Sequence, residues 1–322
     1  MLMKSLIFGA LGQDGKFLSE ELLRTGNEVS GFVRSGAETK VPNGIKGVTY
    51  IAGNLLDRSF VEQTIENYDP DYIYNLASFS SVKNSFDLPE LSEQINFVFV
   101  EMLLEIIRAR RDRNMRPVRL FQASSSEMFG PNPKGPLNEK SEMNPKSPYA
   151  LHKYKAHKSA IRFREEYELP VYTAILFNHE SHLRKPTFAS RKITQGAFQI
   201  ASGKKDSLQL GNIDSLRDWG YAGDYVKAIS MIMNRDTPDD FVVATGELHS
   251  LRDICQIAFE AVGLGNYENY IHIDPNLVRD NDTSGLLGDP SKIARVFDWR
   301  ATLTFEEMIQ FMVQQEISRK DG

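Results

Sequence analysis

The sequence has a single cysteine, no apolar run long enough to cross a bilayer, no internal repeat, no low-complexity tract and no excess of positive charge. Each shortage excludes something. Cys255 alone cannot close an internal disulfide, which removes the small disulfide-stapled scaffolds and fits a reducing cytoplasm. It lies in LRDICQIAFEAV, a helical apolar pattern, and reads as core packing. The richest apolar stretch, INFVFVEMLLEII, is interrupted by Glu101 and Glu105 and falls short of the ~20 residues a membrane span needs. The opening MLMKSLIFGALGQDG runs straight into a short strand and a glycine loop, too short and wrongly flanked for a signal peptide. A formal net charge of -5 gives no general attraction for nucleic acid or an anionic membrane. The expectation is a cytoplasmic protein with no nucleic-acid and no membrane partner. His152 and His157 are five apart, on different helix faces, and no histidine pair has a third ligand nearby, so no metal site is expected.

The 322 residues, 41% hydrophobic and 25% charged, suffice for one large α/β domain and a smaller lobe. Through the first half, short β-branched runs alternate with amphipathic helices: SLIFG, KFLSEELLRTG, EVSGFV, VTYIAG, RSFVEQTIENY, DYIYNLA, a helix from about Leu91 to Arg110, VRLFQASS, a helix from Tyr149 to Tyr167, and PVYTAILFN. That alternation predicts a doubly wound parallel sheet of Rossmann type, with ligands at the carboxyl ends of its strands. After Asn178 the pattern breaks, then GDYVKAISMIM and DDFVVATG read as one more helix and strand of the main sheet, and from Ser250 helices and loops follow without alternation. Residues 1–178, with 223–249 returning, form the expected dinucleotide-binding domain; 179–222 and 250–322 form the substrate-binding lobe. The Asn96–Ile107 helix is apolar on more than one face and so is buried on both sides, by the sheet or by a second copy of the chain, the latter being favoured. The Arg108–Arg116 run reads as a solvated helix end, and Trp219 as packing at the junction of the lobes.

Gly9-Ala10-Leu11-Gly12-Gln13-Asp14-Gly15 follows an apolar strand and precedes a helix. Glycine spacing alone is a weak signal; the strand–loop–helix context strengthens it. Gly9 permits a tight turn, Gly12 lets backbone approach a pyrophosphate, and Gly15 lets the helix, amino end forward, pack close to the strand. At the end of the next strand, Arg34-Ser35 stands where an NAD-specific site would carry an acid, and no acid follows until Glu38. A cation and a hydroxyl suit a 2′-phosphate, so NADP is the expected cofactor; the alternative is a solvated surface arginine.

Tyr149 and Lys153, four apart in SPYALHKYKAHK, share a helix face. An ammonium beside a phenol lowers the phenol's pKa from about 10, so Tyr149 can act as a base while Lys153 also holds the cofactor ribose. Such a pair is common by chance. It gains meaning one strand–loop unit after Ser124-Ser125-Ser126-Glu127 and downstream of a glycine loop.

This combination resembles the extended short-chain dehydrogenase/reductases. GALGQDG, YNLAS, SVKNSFD, QASSSEMFG, SPYALHK, ILFNHES, SRKI, GNIDSLRDWGYAGDYV, ATGELHSLRD and LLGDPSK together resemble the GDP-mannose 4,6-dehydratases across residues 9–292. The resemblance implies an NADP-dependent lyase that oxidises C4 of GDP-mannose, eliminates water across C5–C6 and returns hydride to C6. It puts an active-site hydroxyl at Ser125, a general base at Glu127, and the proton-transfer pair at Tyr149 and Lys153. Cofactor positions fall on Gly9 to Gly15, Arg34, Asn54, Leu55, Leu76, Ala77, Ser78, Ser80, Lys153, His179 and Arg184; substrate positions on Ser80, Asn178, Lys192, Arg217 and Arg279. It also implies a homodimer or homotetramer, with the loop carrying Arg184 able to reach a neighbouring subunit. Ser126 before Glu127, where dTDP-glucose 4,6-dehydratases carry an Asp, leaves one carboxyl group to move both protons.

The chain departs from the family at Asn54-Leu55 for Asp-Leu, Ser78-Phe79-Ser80 for Ala-Gln-Ser, Ala150 for Gly, and Arg279-Asp280-Asn281-Asp282 for the proline-bearing substrate loop. These bear on sugar fit, so a larger GDP-sugar such as a GDP-heptose is an alternative substrate. A 4-keto reductase or epimerase on the same scaffold is another alternative, against which Glu127 speaks. A non-catalytic cofactor-sensing protein is a third; the retained Tyr/Lys pair argues against it.

Overall fold

A computed structural model describes residues 2–34, 44–131, 135–277 and 285–318. The strands are β1 (Lys4–Phe8), β2 (Glu28–Arg34), β3 (Thr49–Gly53), β4 (Tyr72–Asn75), β5 (Arg119–Ser125), β6 (Val171–Leu176), β7 (Asn178–Glu180), β8 (Leu208–Leu210), β9 (Leu216–Tyr221), β10 (Asp240–Val243), β11 (Leu248–Ser250) and β12 (Ile271–Ile273). The helices are α1 (Gln13–Arg24), α2 (Arg58–Tyr68), α3 (Val82–Asp87), α4 (Pro89–Glu93), α5 (Phe99–Asp112), α6 (Pro148–Tyr167), α7 (Ala189–Ala201), α8 (Ala222–Met233), α9 (Leu251–Ala261), α10 (Ser291–Phe297) and α11 (Phe305–Ser318).

The chain divides into two compact units, one of residues 1–130, 141–176 and 226–242, the other of 131–140, 177–225 and 243–322. The first unit holds a seven-stranded sheet in the order β10-β6-β5-β4-β1-β2-β3. Pairing is parallel from β3 across to β6. The order is that of a doubly wound Rossmann sheet, whose winding reverses between β1 and β4 and leaves a crevice outside the carboxyl ends of those strands. Strands buried on both faces must be apolar throughout. Leu6, Ile7, Phe8, Ile73, Leu120, Phe121, Val171 and Tyr172 accordingly have no exposed surface.

Local sequence fixes the helix starts. Asp57 caps α2 by accepting from Phe60 N–H. Ser147 caps α6 by accepting from Ala150 N–H, with Pro148 in the first turn. Residues predicted as one helix from Leu91 to Arg110 form α4, a π-helical turn at Gln94–Val98, and α5. Of its apolar side chains, Phe99, Val100, Leu103, Leu104, Ile106 and Ile107 are at most 3% exposed, absorbed by the first unit's own core. Apolarity at these six positions is thus packing within the chain. Leu91, Val98 and, on α6, Leu151 remain exposed.

The Arg108–Arg116 run is a solvated helix end at every arginine but Arg110. Arg110 is 1% exposed and ion-paired with Asp69 at 2.6 Å. Arg113 pairs with Glu66, Arg111 with Glu168, and Arg116 with both Asp69 and Asp71. The arginines face acids on α2 and its following turn and, for Arg111, at the end of α6, a match no local pattern reveals.

In the second unit β11, β9 and β7 form one small sheet, and β12 pairs with β8. The region after Ser250 thus contains a strand that alternation did not predict, because three residues are too few to set a period. Helices α7, α9 and α11 pack on one another around Ile193, Phe259, Ile309 and Met312. Trp219 and Cys255 lie in this same core. Burial pushes the Cys255 thiol up to about 12, so it behaves as a small apolar side chain.

Candidate active site

All first-unit residues singled out above come from the carboxyl ends of the parallel strands or from α6, which packs on β5 and β6. In spatial order, β3 delivers Asn54 and Leu55, β2 delivers Arg34, β1 the glycine loop, β4 Leu76 to Ser80, and β5 Ser125 and Glu127.

The glycine loop is built as its spacing requires. Gly9 has φ +88°, and a Cβ there would lie 2.8 Å from the backbone of Leu76 and Ala77. A Cβ on Gly15 would lie 2.3 Å from the Gly9 carbonyl oxygen, so only glycine lets α1 start this close to β1. Gly12 is the N-cap of α1 and supplies no side-chain cap, which turns an uncapped helix start with its partial positive charge toward the crevice. Gln13 Nε2 donates to Asp14 Oδ1 at 3.1 Å.

Arg34 ends β2 with its side chain exposed. Ser35 and Glu38, which entered the cofactor argument with it, lie outside the described residues. Asn54 Oδ1 accepts from Leu56 N–H, a turn that commits its oxygen to the backbone. The 78–80 segment is held by a residue the sequence reading passed over. Asn96, 1% exposed in the π-helical turn, accepts from Ser78 Oγ–H (2.9 Å) and Phe79 N–H (3.0 Å) and donates to the Phe79 carbonyl. It also donates to Ser92, whose hydroxyl meets His152 Nδ1 at 3.0 Å. The extra residue of the π turn re-aims Asn96 from the helix at the loop. A polar residue in the middle of an apolar helix was the available signal.

Ser125 and Glu127 follow directly from β5 into a short 3₁₀ turn, where Ser125 Oγ accepts from Glu127 N–H at 3.3 Å. The serine oxygen is thus occupied as an acceptor while its hydrogen is directed elsewhere. Glu127 is half-buried. On α6, Tyr149 is 8% and Lys153 4% exposed. The Lys153 ammonium donates to the Ala123 carbonyl at 3.1 Å. Burial pulls its pKa down to about 8, opposed by the negative charge of Asp14, so it stays mainly charged at neutral pH. One base-capable phenol, one ammonium, one free serine hydrogen and one carboxylate therefore sit on adjoining elements of the sheet edge.

The second unit carries the remaining predicted residues. Asn178 and His179 lie on β7, paired in parallel with Trp219 and Gly220 of β9. His179 stacks on Tyr225 at 4.8 Å, and its Nδ1 donates to the Phe177 carbonyl at 2.7 Å, making its Nε2 an acceptor. Arg184 is folded back on its own unit, 3.3 Å from Glu180 and 3.8 Å above the Phe188 ring. Lys192 donates to the Gln209 carbonyl at 2.5 Å, and burial together with Lys205 lowers its pKa. Arg217, on β9, donates to Ser215 Oγ and the Leu216 carbonyl. Next to it, buried Asp218 accepts from Thr245 N–H and Oγ–H, Gly246 N–H and Gly288 N–H, tying two loops to the strand that holds Arg217. Desolvation raises the Asp218 pKa against those four bonds. Its role as a loop anchor is invisible in the RDWG string. Arg279 lies outside the described residues.

None of the predicted catalytic, cofactor or substrate residues lines either of two open cavities, one in each unit. One, of about 130 Å³, sits among Arg110, Arg111 and Glu168; the other, of about 420 Å³, sits among Trp219, His249, Trp299 and Phe305.

A sequence profile described as GDP-mannose 4,6 dehydratase matches residues 6–312. GDP-mannose 4,6 dehydratase 1 of Arabidopsis thaliana is 37% identical over 324 residues, covering 97% of this chain and 89% of the relative. The GDP-mannose 4,6-dehydratase of Vibrio cholerae is 34% identical, covering 98% of this chain and 94% of the relative. Among solved structures, the UDP-glucose 4-epimerase of Thermus thermophilus in complex with NAD superposes with a TM-score of 0.85 at 26% identity, covering 98% of this chain and 99% of the other.

Proposed function

Because this chain belongs to the GDP-mannose 4,6-dehydratase family and is a nucleotide-sugar 4,6-dehydratase, we propose that it dehydrates GDP-mannose to GDP-4-keto-6-deoxy-mannose with NADP as its resident cofactor. The observation that carries the reading is the meeting, on one sheet edge, of Ser125 and Glu127 from β5 with Tyr149 and Lys153 from the helix packed against it. The first unit is the dinucleotide-binding domain and the second the substrate-binding lobe.

The uncapped start of α1 and the close-packed glycine loop suit a pyrophosphate, and Lys153 suits a ribose; Arg34 suits a 2′-phosphate. A nicotinamide held there would supply reversible hydride transfer between C4 and C6, with no net redox change over a turnover. Tyr149 accepts the proton of the C4 hydroxyl, its phenolate stabilised by the Lys153 ammonium. Ser125 turns its free hydrogen to the C4 oxygen. Once C4 is a ketone, the C5 hydrogen is acidic, and Glu127 removes it. The same carboxyl delivers that proton as the C6 hydroxyl leaves as water, and C5 is reprotonated as C6 gains hydride, in net by the proton that Tyr149 took from the C4 hydroxyl. In the second unit, Asn178, Lys192 and Arg217 hold the nucleotide diphosphate sugar, with Arg279, while His179 and Arg184 serve the cofactor. The chain assembles as a homodimer or homotetramer, for which exposed Leu91, Val98 and Leu151 provide an apolar face.

Phe79, held by Asn96 on the loop after β4, favours a second reading in which the same chemistry acts on a larger GDP-sugar such as a GDP-heptose. Incubating the purified protein with NADP and, separately, GDP-mannose and GDP-heptose tests both by mass. Loss of one water from GDP-mannose is the expected result. Loss only from the heptose selects the second reading, and loss from neither overturns the dehydration proposal. Tyr149→Phe should abolish the first oxidation, so no rise of enzyme-bound reduced nicotinamide absorbance should follow substrate addition; a normal rise removes Tyr149 from the base role.

A further inference from the structure

We propose that His157 is a positioning residue for dehydration, fixing through Ser124 the strand end that carries Ser125 and Glu127 to the helix that carries Tyr149 and Lys153. The inference rests on the catalytic reading given above for those four residues.

His157 lies on α6 one turn beyond Lys153 and is 3% exposed. Its Nδ1 is 2.9 Å from Ser124 Oγ and 3.5 Å from Thr173 Oγ1. The Thr173 hydroxyl donates to Asp240 Oδ1 at 2.7 Å, and Arg164 grips both oxygens of that carboxylate, at 2.9 and 2.7 Å. With its hydrogen committed to Asp240, Thr173 offers the ring only lone pairs. That selects the tautomer with hydrogen on Nδ1, and the imidazole donates to the nearer oxygen, that of Ser124.

One helical turn earlier, Lys153 donates to the Ala123 carbonyl. Two residues four apart on α6 therefore grip two consecutive residues of β5, Ala123 by its backbone and Ser124 by its side chain. The next residue in the chain is Ser125, and Glu127 hangs from it through the Ser125 Oγ bond. One grip fixes a point; two fix a direction, here the direction in which β5 hands its chain to the turn bearing Glu127. Far from the reacting atoms, the Arg164–Asp240–Thr173 chain sets the ring plane that makes the second grip. Burial pushes the His157 pKa down to about 4, with Asp240 opposing and Arg164 and Lys158 adding to the fall, so the ring remains a neutral donor across the working pH range. An apolar ring would fill this interior position without that desolvation cost, and the bond to Ser124 accounts for its being histidine.

Replacing the ring tests this. His157→Phe should lower kcat on GDP-mannose by about ten- to a hundredfold while leaving KM within about threefold, since the loss is one of alignment rather than of substrate contact. His157→Asn, whose amide nitrogen can sit where Nδ1 sits, should recover most of kcat; a packing role alone predicts no such rescue. Ser124→Ala should reproduce the Phe variant, and it carries the same test if the Phe variant does not fold. Amide hydrogen exchange of the peptide spanning 121–129 supplies a measurement free of any substrate: faster exchange is expected in His157→Phe and Ser124→Ala, and near wild-type exchange in His157→Asn. Unchanged kcat together with unchanged exchange overturns the inference. A wild type inert on GDP-mannose sinks the dehydratase reading, and the exchange comparison then decides the positioning role alone.

Discussion

The two edges of the main sheet treat charge in opposite ways. At the amino edge, where β1, β4 and β5 begin, Arg110, Arg113 and Arg116 meet Asp69, Glu66 and Asp71, and the Lys4 backbone N–H donates to Asp71. At the carboxyl edge, Lys153 answers a backbone carbonyl, Ser125 keeps its hydrogen unspent, and α1 starts without a side-chain cap. The first arrangement cancels charge within the chain and gains mainly solubility and modest stability, because exposed pairs are worth about 0–1 kcal/mol each. The second spends dipoles instead of ions, leaving full charge for what binds there. Parallel strands make the contrast structural: they point all carboxyl ends, and thus all the outgoing loops, the same way.

The sharpest way to break this contrast is Glu127→Gln. The amide is isosteric but cannot take the C5 proton, so turnover should fall by about 10²–10⁴-fold, the usual worth of a positioned base. Cofactor affinity and the first hydride transfer should persist, visible as a stable rise in reduced-nicotinamide absorbance without loss of water from the sugar. Undiminished formation of the 4-keto-6-deoxy product by this variant removes Glu127 from the mechanism.

How far the sequence carried this picture depends on how local each feature is. Strand–helix alternation and glycine spacing are local signals, and β1 to β6 with the loop Gly9 to Gly15 stand where they were expected. The Tyr149–Lys153 spacing is likewise local, since a helix turn brings the pair to one face. Long-range complementarity was not legible. Arg110 looked solvated because its partner, Asp69, is 41 residues away in the chain. Which side chains of 96–107 the chain's own core takes was not legible, because the sequence does not say how deeply one chain can swallow a helix. The roles of Asn96 and His157 were not legible for a related reason: the meaning of each lies in a partner on another element. Asp218 anchors loops whose glycines and threonine follow it by 27 to 70 residues.

His157 sharpens the comparison through pH, because it is a titratable group of the carboxyl edge kept uncharged by burial. Its folded pKa is about 4 against an ordinary value of 6.5. Between those values the unfolded chain binds a proton that the folded chain refuses, so stability from this site is lost as pH falls through that window and is unaffected above it. The full difference is about 3 kcal/mol. Urea unfolding at pH 7 and pH 5 should show a smaller pH loss in His157→Asn than in the wild type. Equal losses place the acid sensitivity of that pH window in other groups.

A smaller effect is expected at Arg34, where the exposed guanidinium at the end of β2 is assigned to a 2′-phosphate. Arg34→Ala should weaken NADP binding by about tenfold, as for one exposed charge-assisted contact, and leave NAD binding nearly unchanged. Titration calorimetry with both dinucleotides measures the ratio. If the two affinities fall together, Arg34 does not discriminate between them.

The smallest effect belongs to the amino edge, and its smallness is the point. Arg110 is 1% exposed, while Asp69 is 46% exposed and also faces Arg116 at 3.1 Å. Arg110→Met keeps the length of the buried stem and removes a guanidinium whose Nε and Nη1 are buried without partners among the described residues. Asp69 retains Arg116 and water, so no uncompensated buried charge is created. Replacing a desolvated cation by an apolar side chain of similar reach is then close to neutral, within about 1 kcal/mol, and can stabilise. The sheet and the length of α5, whose amino end continues from the turn bearing Asn96, separate this position from the carboxyl edge, so kcat and KM on GDP-mannose should stay within about twofold. A thermal melt and a turnover assay on the one variant suffice. If turnover dropped while the melting point held, charge at the amino edge would be acting on the site through the strands, and the division of labour between the two edges would be wrong.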